Sequence, residues 1–183
     1  MKQKQILRIV VTGPESTGKT TLCEFLAARY NTEFVPEYAR VYVEGLQRPY
    51  TYVDVEKIAS KQLELEQESL SRANEILFYD TFLVVTRVWF EVVYHRIPEW
   101  FENAVKSHLP HHFLLMDTDL PWIPDSVREN GGEMRQQLFE RYKEVIQELG
   151  GSFTIIRGSE DIRRENAMQA VNRLLDPDLH ARY

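Results

Sequence analysis

Apolar and polar positions follow two alternating rhythms along this chain. Short runs rich in β-branched and aromatic residues recur at intervals, and the first, Ile6-Leu7-Arg8-Ile9-Val10-Val11, is almost continuous. Such a run predicts a strand buried on both faces. Further strands are predicted at 34–35, where Pro36 stops the run, and at 76–80, 113–117 and 153–156. Between them the apolar positions shift to helical spacing. Leu22, Phe25 and Leu26 predict a helix over 19–30. Val55, Ile58, Leu63 and Leu65, interleaved with Lys and Glu, predict a long helix over 53–74. Residues 82–95 and 99–107 form two more, separated by Pro98, another closes at Leu149 before Gly150-Gly151, and the last runs over 160–175. Strands alternating with helices imply an α/β fold with a parallel sheet covered on both faces. With no repeat, linker or low-complexity tract, one domain is expected over 1–183.

Composition narrows the partners. Of the 183 residues, 43% are hydrophobic and 27% charged, as expected of a soluble globular protein. No apolar run reaches the roughly 18 residues of a membrane span. The start, Met1 to Gln5, lacks the apolar segment of a signal peptide. The lone Cys23 has no internal partner, so a cytoplasmic location is expected. A net charge of −6 points away from nucleic acid, whose phosphates favour a basic surface. It leaves room for a nucleotide, which needs only a local positive pocket.

That pocket has a motif. Gly13-Pro14-Glu15-Ser16-Thr17-Gly18-Lys19-Thr20 fits G-x-x-x-x-G-K-[ST] at every position. Glycines let the backbone wrap phosphates, the loop N–H groups form an anion nest, and the helix that follows adds its positive dipole end. Lys19 is expected to reach the β- and γ-phosphates of ATP, and the Thr20 hydroxyl to ligate Mg²⁺. The pattern would arise by chance in roughly one chain in a hundred. The strand before it and the helix after it supply the structural context that phosphate binding requires.

Carboxylates at strand ends supply the rest, because ligands of open α/β sheets bind at that edge. Asp80 closes the third strand and has the form of a Walker B acid, expected on the metal side. Glu37 follows the second strand, in Pro36-Glu37-Tyr38-Ala39-Arg40, where it would orient an acceptor hydroxyl or take its proton. Asp117 and Asp119 either contact substrate or fix their loop. The stretch 118–132, mixing prolines and glycines, is long for a connection and reads as a lid. Arg128 is expected to close over the phosphates. Arg135 either does the same or sits in a surface ion pair. Trp122, in the lid, is a candidate to stack on a ring, whereas Trp89, Phe90 and Trp100 read as core. The Glu/Lys run from Glu56 to Glu68 reads as a solvated helix face. His95, His108, His111, His112 and His180 show no metal-ligand spacing.

Together, the motif at 13–20, Glu37-Tyr38-Ala39-Arg40, Asp80-Thr81, and Asp117-Thr118-Asp119-Leu120-Pro121-Trp122 with Asp125 and Arg128 resemble the NadR-type ribosylnicotinamide kinase domain family. Stand-alone relatives of this kind are often described as AAA-type ATPases. The resemblance runs from about Ile6 to Leu175. It implies a P-loop fold with strand order 2-3-1-4-5. It also implies ATP and Mg²⁺ as cosubstrates and phosphorylation of the ribose 5′-hydroxyl of nicotinamide riboside, a step of NAD salvage. ATP would then contact residues 13–21 (Gly13, Glu15, Ser16, Thr17, Gly18, Lys19, Thr20 and Thr21 among them), Arg128, and the Gly158-Ser159 turn near adenine. The acceptor would contact Glu37, Tyr38, Arg40, Asp80, Thr81 and Trp122. Thr20 and Asp80 would hold the metal, and Lys19, Glu37, Asp80 and Arg128 would carry the chemistry. The partner is a small molecule, and oligomeric state is left open. The chain lacks H-x-G-H, so the adenylyltransferase half of bifunctional members is expected to be absent. It carries Phe82 where members have a second Asp of Asp-Thr-Asp, and Pro36 where bifunctional members have an aromatic residue. Another nucleoside or sugar alcohol as acceptor, or a nucleotide-dependent ATPase switch, are the alternative functions.

Overall fold

A computed structural model describes residues 6–176; His180 and the first five residues lie outside the described residues. Five strands form one sheet, all neighbours parallel, in the order β2-β3-β1-β4-β5. They are β1 (Leu7–Thr12), β2 (Phe34–Val35), β3 (Ile76–Asp80), β4 (His112–Met116) and β5 (Phe153–Ile156). Among the described residues six helices connect them and a seventh follows β5: α1 (Lys19–Arg29), α2 (Tyr38–Glu44), α3 (Tyr52–Leu70), α4 (Leu83–Tyr94), α5 (Glu99–Ser107), α6 (Gly132–Glu148) and, last, α7 (Glu160–Leu175). The strand order is the expected one, and most element boundaries agree within one residue. The helix predicted over 53–74 stops at Leu70, because Arg72 and Ala73 turn back onto the Ser69 carbonyl. Helix α2 was not predicted.

Strand periodicity divides the core. Side chains alternate between faces. Ile9, Val11, Phe78, Leu114 and Met116 pack on one side with Leu22, Cys23 and Leu26 of α1 and Ala167, Ala170 and Val171 of α7. Val10, Leu77, Tyr79, Phe113 and Leu115 pack on the other with α3, α4, α5 and α6. Both faces are therefore dry, which accounts for the continuous apolar reading of β1, β3 and β4.

One predicted surface is partly interior. Glu66, in the Glu/Lys run of α3, is fully buried. Its carboxylate accepts from the Tyr79 hydroxyl at 2.8 Å, contacts His108 Nδ1 at 2.5 Å and lies 3.6 Å from the Arg8 guanidinium. A buried carboxylate persists only with such partners. Two other imidazoles also have local roles: His112 bonds Ser152 and Thr154, and His111 Nδ1 accepts from the Arg8 amide.

Candidate active site

At the carboxyl edge of the sheet, β1 leads into the loop of residues 13–18 and then α1. Two glycines make that path possible. Gly13 has φ 139°, and a Cβ there would lie 2.8 Å from the Met116 carbonyl; Gly18 has φ 80° immediately before Lys19. Any larger residue would clash with β4 at Gly13 or strain the backbone at either position. Beside the loop, β3 pairs Asp80 with Val11 in register, which brings the carboxylate level with the strand that feeds the loop. The Thr20 hydroxyl donates to Asp80 Oδ2 at 2.6 Å. Burial pushes the Asp80 carboxyl above its usual range, against the opposing pull of the Thr20 bond and the nearby Lys19. The Lys19 ammonium donates to the Pro14 carbonyl at 2.8 Å, folded back over its own loop.

The turn from β3 into α4 is conformationally unusual. Thr81 and Phe82 have φ of 73° and 85°, and the Thr81 amide donates to the Val11 carbonyl at 2.9 Å. Such conformations cost on the order of 1–3 kcal/mol each and hold only where packing enforces them. Here the Phe82 ring is buried, 4.6 Å from the Tyr79 ring. The residue occupying the second Asp position of the family pattern is thus a core aromatic at the rim of the site.

A cavity of about 520 Å³ opens in front of the loop. Gly13, Glu15, Ser16, Thr17, Gly18, Lys19, Thr20 and Thr21 line it, together with Glu37, Arg40, Thr81 and Arg128. Residues separated by more than 100 positions therefore converge as expected. Glu37 sits at the start of α2. Burial raises its carboxyl above the usual value, Lys19 opposes that, and the Asp80 charge adds to it. Gln62 of α3 clamps the backbone on both sides of Glu37: its amide nitrogen donates to the Pro36 carbonyl at 3.0 Å, and its carbonyl accepts from the Tyr38 amide at 3.1 Å.

Between Met116 and Gly132 the chain has neither helix nor strand, yet it is tied to the phosphate loop at several points. The Glu15 carboxylate accepts from the amides of Glu129 and Asn130 and from the Asn130 side chain, at 3.0–3.3 Å. Ser16 Oγ accepts from the Ile123 amide at 2.9 Å. Asp125 accepts from Arg40 at 2.7 Å and pairs with Arg128, and its carboxyl is held down at about 2, chiefly by the Arg40 bond.

Several expectations need correction. Arg135 neither closes over the cavity nor lies in a surface ion pair. It is buried and donates to the carbonyls of Glu15, Ser16, Leu120 and Thr118, joining the outer side of the loop to the lid. Trp122 does not line the cavity; its ring packs 3.2 Å from the position a Cβ on Gly131 would take. Trp100 is 40% exposed and donates to Glu56, and Trp89 lines the cavity, so of the three aromatics read as core only Phe90 is fully buried. Tyr38 also stands outside the cavity lining, against the Tyr42 ring at 5.8 Å. Asp117 and Asp119 fix their loop. Asp117 pairs with Arg157 at 2.5 Å, and Asp119 accepts from the Gly158 amide and from Arg163. Arg163, missed in the sequence, is buried and also donates to the Thr17 and Gly158 carbonyls at 3.1 Å, so the Gly158-Ser159 turn is coupled to the loop though it does not line the cavity.

Residues 8–163 match a protein family described as an AAA domain. The chain belongs to that family. Among curated proteins it is similar to the trifunctional NAD biosynthesis/regulator protein NadR of Salmonella typhimurium strain LT2, 26% identical over 157 residues. That match takes in 83% of this chain and 38% of the relative, so the chain spans little more than a third of that protein's length. Among solved structures, NadR in complex with NR superposes with a TM-score of 0.80 at 24% identity, over 92% of this chain and 51% of the other. Deoxyadenosine kinase from M. mycoides with bound dATP superposes at 0.61 and 16% identity, over 91% and 99%. This AAA domain thus has the fold of P-loop kinases.

Among the described residues of the domain, no three His, Cys, Asp or Glu side chains cluster as a protein-only metal cage. The Thr20 hydroxyl and the Asp80 carboxylate, 2.6 Å apart, are instead oxygen donors of the kind Mg²⁺ takes together with phosphates and water. No helix among the described residues is long and apolar enough to cross a membrane.

Proposed function

We propose that this chain is an ATP-dependent small-molecule kinase whose acceptor is the ribose 5′-hydroxyl of nicotinamide riboside. The observation that carries the reading is the convergence of Lys19, Thr20 and Glu37 on one cavity, with Asp80 bonded to Thr20 just behind its lining, beneath a lid tied to the phosphate loop. A site for nucleotide binding alone has no need of a second, half-buried carboxylate beside the triphosphate position; phosphoryl transfer to a hydroxyl does. The likeness to NadR, found in one structure with NR and in another with NAD and AMP-PNP, supports the choice of acceptor.

In this mechanism the loop amides and the N-terminus of α1 hold the β- and γ-phosphates, and Lys19 swings from Pro14 onto them. Thr20 and Asp80 would hold Mg²⁺, which when bound neutralises phosphate charge as it builds up. Glu37 accepts the proton of the attacking hydroxyl, its raised pKa making it a better base once ionised. Arg128, on the lid beside the cavity, balances the equatorial oxygens in the transition state. The Gly158-Ser159 turn, joined to the loop through Arg163, is assigned to the adenine side.

The test is ADP release coupled to a spectrophotometric readout, with ATP, Mg²⁺ and a panel of nucleosides and sugar alcohols. Release should require nicotinamide riboside. Equal release with no acceptor would replace the kinase reading with an ATPase.

A further inference from the structure

The half of the cavity away from the phosphate loop has a different character, and the mechanism above does not use it. One face of α4 forms its wall: Val85, Val88, Trp89 and Val92 follow the i, i+3, i+4, i+7 spacing that keeps side chains on one side of a helix. Trp89 lies six residues into α4, about 9 Å from the strained turn that begins beside the reacting groups. Its ring is not free to rotate at will. Tyr50, from the loop before α3, meets it edge to face at 4.7 Å between centroids and 84° between planes. The Tyr50 hydroxyl donates in turn to the Glu129 carboxylate of the lid at 3.3 Å, and the Glu129 amide donates to Glu15 of the phosphate loop.

We infer that Trp89, braced by Tyr50, is the ring-reading wall of the acceptor chamber, so that the acceptor is a riboside with a planar ring and not a free sugar or sugar alcohol. This deepens the kinase reading and rests on it. The cavity is polar where Glu37, Gln62 and Thr81 line it and apolar along the Val85–Val88–Trp89–Val92 stripe of α4, which matches a pentose hydroxyl at one end and a flat ring at the other. An aromatic corner already rigid before binding adds stacking without ordering a loose side chain. A ring that carries positive charge, as a pyridinium does, gains a cation–π contribution on indole that a neutral ring lacks. The Tyr50–Glu129 bond places the same corner in contact with the lid, so filling the ring end also favours the lid position seen here.

Calorimetric titration tests this, with Mg²⁺ and a non-hydrolysable ATP analogue present, using the whole chain as wild type, Trp89→Phe and Trp89→Leu. Both replacements keep the wall apolar. Nicotinamide riboside and D-ribose are the two probes. Riboside affinity should fall between about 5- and 150-fold in Trp89→Leu, as for loss of one base–aromatic stack, and less in Trp89→Phe. Ribose affinity should change by less than about twofold, since it has no ring to lose. Equal losses for both probes, or an unchanged riboside affinity in Trp89→Leu, would overturn the inference. Should the wild type bind the ATP analogue but not the riboside, the choice of acceptor fails, and adenosine, cytidine and thymidine become the probes. Ring-dependent binding lost in Trp89→Leu then supports the wall, and no nucleoside binding at all overturns it.

Discussion

Thr20 and Asp80 lie sixty residues apart in the chain, yet the threonine hydroxyl donates to the carboxylate at 2.6 Å. The contact follows from topology: β3 sits beside β1, Asp80 stands in register with Val11, and the loop after β1 returns Thr20 to the same edge. In the proposed mechanism this pair would hold the magnesium that arrives with ATP. Thr20→Val and Asp80→Asn are therefore each expected to weaken Mg²⁺-dependent ATP binding by tenfold or more, with a smaller effect on metal-free binding. Paired titrations with Mg²⁺ and with EDTA check this; equal losses in both would place the pair outside metal binding.

In the proposed mechanism Lys19 supplies a charge that acts mainly once the γ-phosphoryl begins to move. Lys19→Ala should lower kcat by about 10²- to 10³-fold, the cost of losing one preorganised electrostatic contact. Circular dichroism and the unfolding midpoint should stay near wild type, because the ammonium bonds a carbonyl of its own loop, that of Pro14, and no distant element among the described residues. Near wild-type turnover would remove the role assigned to it.

The raised carboxyl of Glu37 gives a pH signature. Burial raises its folded pKa above the unfolded value, so the native state binds more protons than the unfolded chain between those two values. Its contribution to stability therefore falls as pH rises through that window, while the base form needed for proton transfer appears. The acid limb of kcat/KM should lie above the ordinary carboxylate range, and Glu37→Gln should abolish that limb while lowering kcat about 10²- to 10⁴-fold. A limb that persists in the glutamine variant would assign the base elsewhere, with Asp80 next in line.

Arg135 is expected to matter more for stability than for chemistry. It satisfies four backbone carbonyls of the phosphate loop and lid from a buried position. Arg135→Met should destabilise the fold by on the order of 3 kcal/mol, since buried carbonyls lose their donors. Urea unfolding measures it. A loss of turnover with an unchanged unfolding midpoint would return Arg135 to the phosphates.

Much of this architecture was legible because local patterns and long-range packing agree. The doubly buried strands announce themselves as continuous apolar runs, and the phosphate loop carries a spacing that few other structures need. Where reading failed, the information lay in contacts the chain makes with distant segments. Helix α2 mixes aromatic and β-branched residues, has no fully buried position and so gives no helical stripe to detect. Arg135 and Arg163 look like surface arginines until the fold shows the carbonyls they serve. Trp89 fits a core helix by periodicity alone, and only the neighbouring space in front of α4 reveals that one flank faces a cavity. Glu66 likewise sits in a charged run, and its burial follows from Tyr79, His108 and Arg8 reaching it from three other elements.

In the proposed reaction the γ-phosphoryl group of ATP ends on an acceptor hydroxyl. Phosphorus NMR and mass spectrometry of a reaction with ATP, Mg²⁺ and nicotinamide riboside follow that group directly. A riboside 5′-monophosphate should form one for one with ADP, with no accumulation of inorganic phosphate. ADP formed together with inorganic phosphate, with the riboside unchanged, would contradict it.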